Sequence, residues 1–159
     1  LNVKDGENDL ATIGYDETEA ALKVDIAAGG AWYKKALVYR TPDNAGSLGK
    51  YKLTFKVKST NAKDMIVRVM RGQTKGIFTD NAYFCTGEAG FSGQALSAKS
   101  TDKYESKVVN IDLSKIKNAT TAATADDLAT GISISFSTKT LTDTETYFIK
   151  DVKLVEVKE

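Results

Sequence analysis

Histidine does not occur in this sequence, and cysteine, proline and tryptophan occur once each. The missing histidine removes the commonest general base and the commonest transition-metal ligand together. The lone Cys85 has no partner for an internal disulfide and no histidine to activate it, which excludes a Cys–His nucleophile. Neither a cysteine pair spaced for zinc nor a glycine-rich phosphate loop is present. An excess of one charge is missing too: 22 Lys and Arg face 21 Asp and Glu, for a net charge of +1. No broad field of one sign exists to gather nucleic acid or an anionic membrane. There is no apolar run of about 18 residues to cross a bilayer as a helix. Nor is there a basic start followed by the apolar stretch of a signal peptide. The sequence opens on Leu1 without a methionine, as a processed protein or a piece of a longer one would.

What is present is short-range alternation. The 159 residues, 42% hydrophobic and 27% charged, suffice for one domain with a real core. Leu22, Val24 and Ile26 alternate with Lys23 and Asp25. Tyr51, Leu53, Phe55 and Val57 alternate with Lys52, Thr54, Lys56 and Lys58, one side apolar and one side wet. Val67 and Val69 oppose Ile66, Arg68 and Met70; Val109, Ile111 and Leu113 oppose Asn110 and Asp112; Ile132, Ile134 and Phe136 oppose serines. The ending, Thr146 to Val157, predicts a long strand whose phase slips between Leu154 and Val155, as a bulge would produce. Turn residues separate these runs, among them the only proline, Pro42. Residues 80–104 are expected to form one long irregular stretch and residues 118–130 a loop. About eight strands without a long helix predict an all-β fold: a two-sheet antiparallel β-sandwich, or jelly roll, as one domain over residues 1–159.

The residues that could carry chemistry favour binding over catalysis. Sandwich hydrolases need two carboxylates roughly 5–10 Å apart in one cleft, and strand parity supplies no such pair; Asp126, Asp127, Asp143 and Glu145 sit in turns or on wet faces. Saccharides, by contrast, offer flat CH faces rimmed by hydroxyls, which aromatic rings and the planar forks of Arg and Gln match. In residues 32–40, period two puts Trp32, Lys34, Ala36, Val38 and Arg40 on one side, and Tyr33, Lys35, Leu37 and Tyr39 on the other. Trp32 is a candidate ring platform or a core residue. Arg68, between apolar neighbours, belongs to a structural network or faces a ligand.

At these residues the sequence resembles the family 4 carbohydrate-binding modules and the related families 9 and 22. The resemblance rests on Ala28-Gly-Gly-Ala-Trp-Tyr, Leu37-Val-Tyr-Arg, Gly49-Lys-Tyr-Lys-Leu-Thr-Phe-Lys-Val-Lys-Ser, Ile66-Val-Arg-Val-Met-Arg-Gly-Gln-Thr-Lys-Gly-Ile-Phe and Tyr147-Phe-Ile-Lys-Asp-Val-Lys-Leu. It covers residues 20–80 and 105–157. It implies a jelly roll whose concave sheet holds one β-glucan or xylan chain. Arg68 matches a groove arginine of that family, Phe78 an aromatic platform, and Thr74, with Gln73 beside it, a polar groove residue. Arg40 matches a groove position that holds asparagine in some members. Tyr83, with Phe84 and Phe91, either walls the groove or packs its own segment.

Two departures accompany the resemblance. Where members place glutamines on the penultimate strand, Ser133 and Ser137 stand here. Where the closing strand carries the first aspartate of a structural calcium site, Lys150 stands, with Asp151 after it. An ammonium cannot ligate a cation, so no cofactor is expected and a structural calcium is doubtful.

The expected function is therefore a non-catalytic module. It binds a β-linked polysaccharide, xylan or β-glucan, through Trp32, Arg40, Arg68, Gln73, Thr74, Phe78 and Tyr83. The resemblance implies a linked catalytic domain, a glycoside hydrolase, in a longer secreted chain at an extracellular, cell-surface or periplasmic location, without nucleic-acid binding or membrane insertion. A structural or protein-interaction sandwich without glycan binding is the alternative.

Overall fold

The computed structural model describes residues 10–29, 36–40, 49–61, 64–71, 83–84, 94–97, 103–112, 117–118, 121–122, 132–138 and 144–158. Within them the chain forms twelve strands and no helix: β1 (Ala11–Asp16), β2 (Ala21–Ile26), β3 (Ala36–Arg40), β4 (Lys50–Ser59), β5 (Asp64–Arg71), β6 (Tyr83–Phe84), β7 (Gln94–Ser97), β8 (Glu105–Asp112), β9 (Lys117–Asn118), β10 (Thr121–Ala122), β11 (Ile132–Thr138) and β12 (Glu145–Val157).

All pairings are antiparallel. One five-stranded sheet runs β1-β2-β12-β4-β8. The second runs β3-β11-β5-β6, with β7 also on β5, and β9 pairs β10 separately. Neighbours in space are mostly distant in sequence, as in a sandwich whose strands cross between sheets.

Alternation decides what each strand contributes. On β4, Tyr51, Leu53, Phe55 and Val57 are buried while Lys50 and Lys52 are exposed. On the second sheet Met65, Val67, Ile134 and Phe136 are buried, and all four join the same core cluster as the β4 residues. The contact that fastens the layers is Phe55 of β4 against Phe136 of β11, edge to face with ring centroids 5.0 Å apart. Two sheets thus close on one apolar layer.

Three local expectations are corrected. Residues 80–104 are not wholly irregular: β6 and β7 lie within them, and both extend along the same edge of β5, at Val69–Met70 and Asp64–Val67 respectively. Lys117–Asn118 pairs antiparallel with Thr121–Ala122, which lies within the 118–130 stretch where a loop is expected. The phase slip of the last strand falls between Lys150 and Lys153, not between Leu154 and Val155. Before it the odd-numbered Glu145, Tyr147 and Ile149 are buried; after it the even-numbered Val152 and Leu154 pack on the core. Asp151 provides the extra residue, with a positive φ of 55°. Val155 and Val157 point the other way and are exposed. Strand β1 has no counterpart in the alternation, because Gly14 and the exposed Tyr15 break its period.

Candidate functional site

The second sheet brings together three of the residues expected at a ligand site. Ser133 of β11 stands opposite Arg40 of β3 on one side and Met70 of β5 on the other. Met70 in turn stands opposite Tyr83 of β6, so Arg40, Ser133, Met70 and Tyr83 form one transverse row. The next row of the same parity is Val38, Ser135 and Arg68. Directly opposed residues share a side of a sheet. The intervening positions Val67, Ile134 and Phe136 are core, so Arg40, Arg68 and Tyr83 have the register of the other side. Strand spacing sets the Arg40 and Arg68 Cα atoms about 12 Å apart, two strands across and two residues along. Trp32, Gln73, Thr74 and Phe78 lie outside the described residues, as do Cys85 and Phe91.

The outer side of the first sheet carries a different cluster. The Lys58 ammonium lies 2.6 Å from Glu19 Oε1, joining the turn after β1 to β4. Lys150 donates to the Glu19 carbonyl at 3.1 Å, and its ammonium sits 3.7 Å from the centre of the Tyr104 ring. Lys58 also lies 5.1 Å from the Phe148 ring centre. The Lys58 hydrogen bond holds the Glu19 carboxyl below its ordinary range. Burial, with Glu19 beside it, holds the Tyr104 phenol well above its ordinary range. The Tyr104 hydroxyl is buried beside the Glu19 carboxyl, without a hydrogen bond of ordinary geometry.

These residues do not fit a divalent cation at the closing strand. Lys150 already brings a positive charge to the backbone carbonyl there. The nearby carboxylates are engaged, Glu19 with Lys58 and Asp151 with Lys56 at 2.8 Å. Lys56 holds the Asp151 carboxyl below its usual value. Among the described residues, no three Asp, Glu, Cys or His side chains converge on one point.

Sequence parity missed a pocket of mixed polar and apolar lining at one end of the first sheet. It measures about 350 Å³ and is lined by Thr12, Asp25, Ile26, Thr60, Asn61 and Glu145 among others. Two carboxylates therefore share a pocket, where none was expected. They reach it from opposite sides of the sheet: Glu145 pairs with Ile26 on the core side, whereas Asp25 pairs with Thr146 on the outer side. Each has a structural task. Glu145 Oε1 accepts from Thr60 Oγ1, from the Asn61 amide at 3.1 Å and from the Thr146 amide at 3.0 Å, tying the turn after β4 to β12. Asp25 accepts the Thr146 hydroxyl at 2.7 Å and pairs with Lys23 at 3.0 Å. Burial raises the Asp25 carboxyl, but these two bonds outweigh it and leave the group below its ordinary value. Glu145 is hidden from a sequence reading because a lone acid at a strand start looks like solvated charge.

No protein-family model matches the sequence, and no curated protein matches it. The architecture, however, is shared. A Bacteroides thetaiotaomicron protein provisionally assigned to sugar binding is 18% identical, with a TM-score of 0.70 over 97% of this chain and 85% of its own. The family 11 carbohydrate-binding module of a cellulosomal cellulase of Clostridium thermocellum is 16% identical, with a TM-score of 0.58 over 94% and 82%. A family 4 carbohydrate-binding module is 19% identical, with a TM-score of 0.54 over 92% and 91%. The chain has the β-sandwich fold of carbohydrate-binding modules.

Proposed function

We propose that this β-sandwich is a non-catalytic carbohydrate-binding module, and that the sheet of β3, β11, β5 and β6 takes a β-linked polysaccharide chain, xylan or β-glucan. The observation that carries the reading is the pair of adjacent rows holding Arg40, Arg68 and Tyr83 on the side of that sheet opposite the core. Serines hold the register positions between them on β11, and arginine and tyrosine are residue types whose planar polar fork and ring suit a saccharide. Trp32 and Phe78 supply further ring faces, and Gln73 and Thr74 further hydroxyl partners. The likeness to solved carbohydrate-binding modules supports the same use of the fold. The module serves a linked glycoside hydrolase in a secreted protein, extracellular, at the cell surface or in the periplasm. Tethering the enzyme beside its substrate raises the effective concentration without adding a catalytic group.

Affinity gel electrophoresis tests this. The protein is retarded in gels containing soluble xylan or β-glucan, and Trp32→Ala or Phe78→Ala abolishes the retardation while circular dichroism stays unchanged. Unaltered mobility of the parent protein in every polysaccharide overturns the reading and favours a protein-interaction sandwich.

A further inference from the structure

The pocket at one end of the first sheet holds a carboxylate that is only half used. Glu145 lines the pocket and is 3% exposed. Its Oε1 accepts three hydrogen bonds, from Thr60 Oγ1 and from the Asn61 and Thr146 amides. Its Oε2 is buried and accepts none. Among the described residues no lysine or arginine pairs with this carboxylate. A buried carboxylate oxygen left unmet carries a desolvation cost that one further donor relieves. The terminal torsion of a glutamate is broad, so a slight turn presents Oε2 to a donor in the pocket while Oε1 keeps its bonds.

The rest of the lining selects the kind of donor. Thr12, Thr144 and Asn61 are exposed and bring side-chain groups that both donate and accept. Leu10, Ile26 and Ala27 add apolar surface. A bare cation uses acceptors alone and leaves the donors and the apolar surface idle. A calcium ion also asks for about six to eight oxygen ligands, whereas Asp25 is already engaged by Thr146 and Lys23. A sugar unit uses all three parts of the lining. Its hydroxyls donate to the carboxylate and exchange bonds with the hydroxyls and the amide, and its CH groups cover the apolar residues. The volume, about 350 Å³, is that of roughly a dozen waters in the liquid, which admits one sugar ring rather than a long run.

We infer that this pocket is a second glycan site, separate from the second sheet, where Glu145 and Asn61 receive the hydroxyls of one neutral sugar unit. The inference takes the class of its ligand from the glycan-binding reading above and uses none of the residues of that reading. The unit is either the end of a chain or an inner unit reached from the side.

Amide spectra of the isotope-labelled full chain are followed by NMR during titration with xylose, glucose, xylohexaose and cellohexaose. The Asn61 and Thr146 amides, which donate to Glu145, shift saturably. Asn61→Ala, at an exposed position, weakens this response severalfold. Glu145→Gln weakens it about tenfold or more, as loss of a hydrogen bond to a charged group implies; should that variant fail to fold, the Asn61→Ala arm decides. In both variants the Arg68 and Ser135 amides of the second sheet respond as in the parent. Equal response per mole of chain identifies an end unit, and a response that grows with chain length identifies an inner one. Shifts on the second sheet without any at Asn61 and Thr146 overturn the inference and leave glycan binding standing. An equal shift with ethylammonium or calcium chloride overturns it in favour of a cation site. No shift with any sugar overturns it as well, and mobility of the parent protein in the polysaccharide gels then decides the glycan-binding reading by itself.

Discussion

Lys150 holds its ammonium 3.7 Å from the centre of the Tyr104 ring while donating to the Glu19 carbonyl, so one side chain of β12 binds the turn after β1 to the start of β8. A cation over an aromatic face contributes about 0.5–2 kcal/mol, more when water is excluded. A double-mutant cycle between Lys150→Met and Tyr104→Leu, followed by urea denaturation, yields a coupling energy in that range. Tyr104→Phe keeps the ring and removes only a buried hydroxyl poorly aligned with Glu19, so it changes stability by no more than about 1 kcal/mol. A coupling near zero places the ammonium elsewhere.

The same lysine governs the response to metal. With an ammonium already on the Glu19 carbonyl, neither millimolar calcium nor EDTA shifts the thermal midpoint of the parent protein. Scanning calorimetry with and without each additive checks this. A rise with calcium that EDTA reverses overturns this expectation.

Phe136→Ala strikes the contact between the two layers. Phe136 is 2% exposed and meets Phe55 edge to face. Removing a fully buried phenyl ring costs about 3–5 kcal/mol, through lost transfer energy and the cavity left behind. The denaturation midpoint falls accordingly with an unchanged m-value, whereas a loss below about 1 kcal/mol means that the layers collapse to fill the gap.

Stability depends on pH at both ends. Glu19, Asp25 and Asp151 all titrate below their ordinary values of 4.5, 3.8 and 3.8 in the fold. The unfolded chain therefore takes up protons first on acidification. Their contribution is whole above about pH 4.5 and drains as the pH falls through the folded values. Tyr104 behaves in the opposite sense. Its folded value lies above 10.0, so its contribution is whole below pH 10 and is lost as the pH rises through the folded value. Melting temperature against pH shows a plateau between these limits. Glu19→Gln softens the acid limb, and Tyr104→Phe softens the alkaline one.

Much of this fold is legible in the residues, and the exceptions share a cause. Strands β2, β4, β5, β8 and β11 announce themselves through alternation along the sequence, which on β4 sets buried Leu53 beside exposed Lys52. Tyr83–Phe84 and Thr121–Ala122 do not, because two residues make no period. The slip in β12 is misplaced by the apolar Val155 and Val157, which imitate core residues yet are 58% and 46% exposed. Parity along each strand puts Arg40 and Arg68 on the sides where register finds them. That β11 lies between them is a non-local pairing, which no local pattern contains. The pocket at Glu145 is illegible for the same reason, since it is assembled from the ends of β2, β4 and β12.

Asp151 gives β12 one residue more than its partner strand uses: Lys150 to Lys153 spans three steps where Lys56 to Thr54 spans two. Elsewhere in a strand, losing a residue sends every later side chain to the wrong side. At position 151 the loss would instead make the ladder regular, with Val152 facing Phe55 and Leu154 keeping its place opposite Leu53. Chain length in this strand is thus negotiable at this point, where an evolving or engineered version can lose one residue, and the Asp151–Lys56 ion pair with it, while every later side chain keeps its side of the sheet.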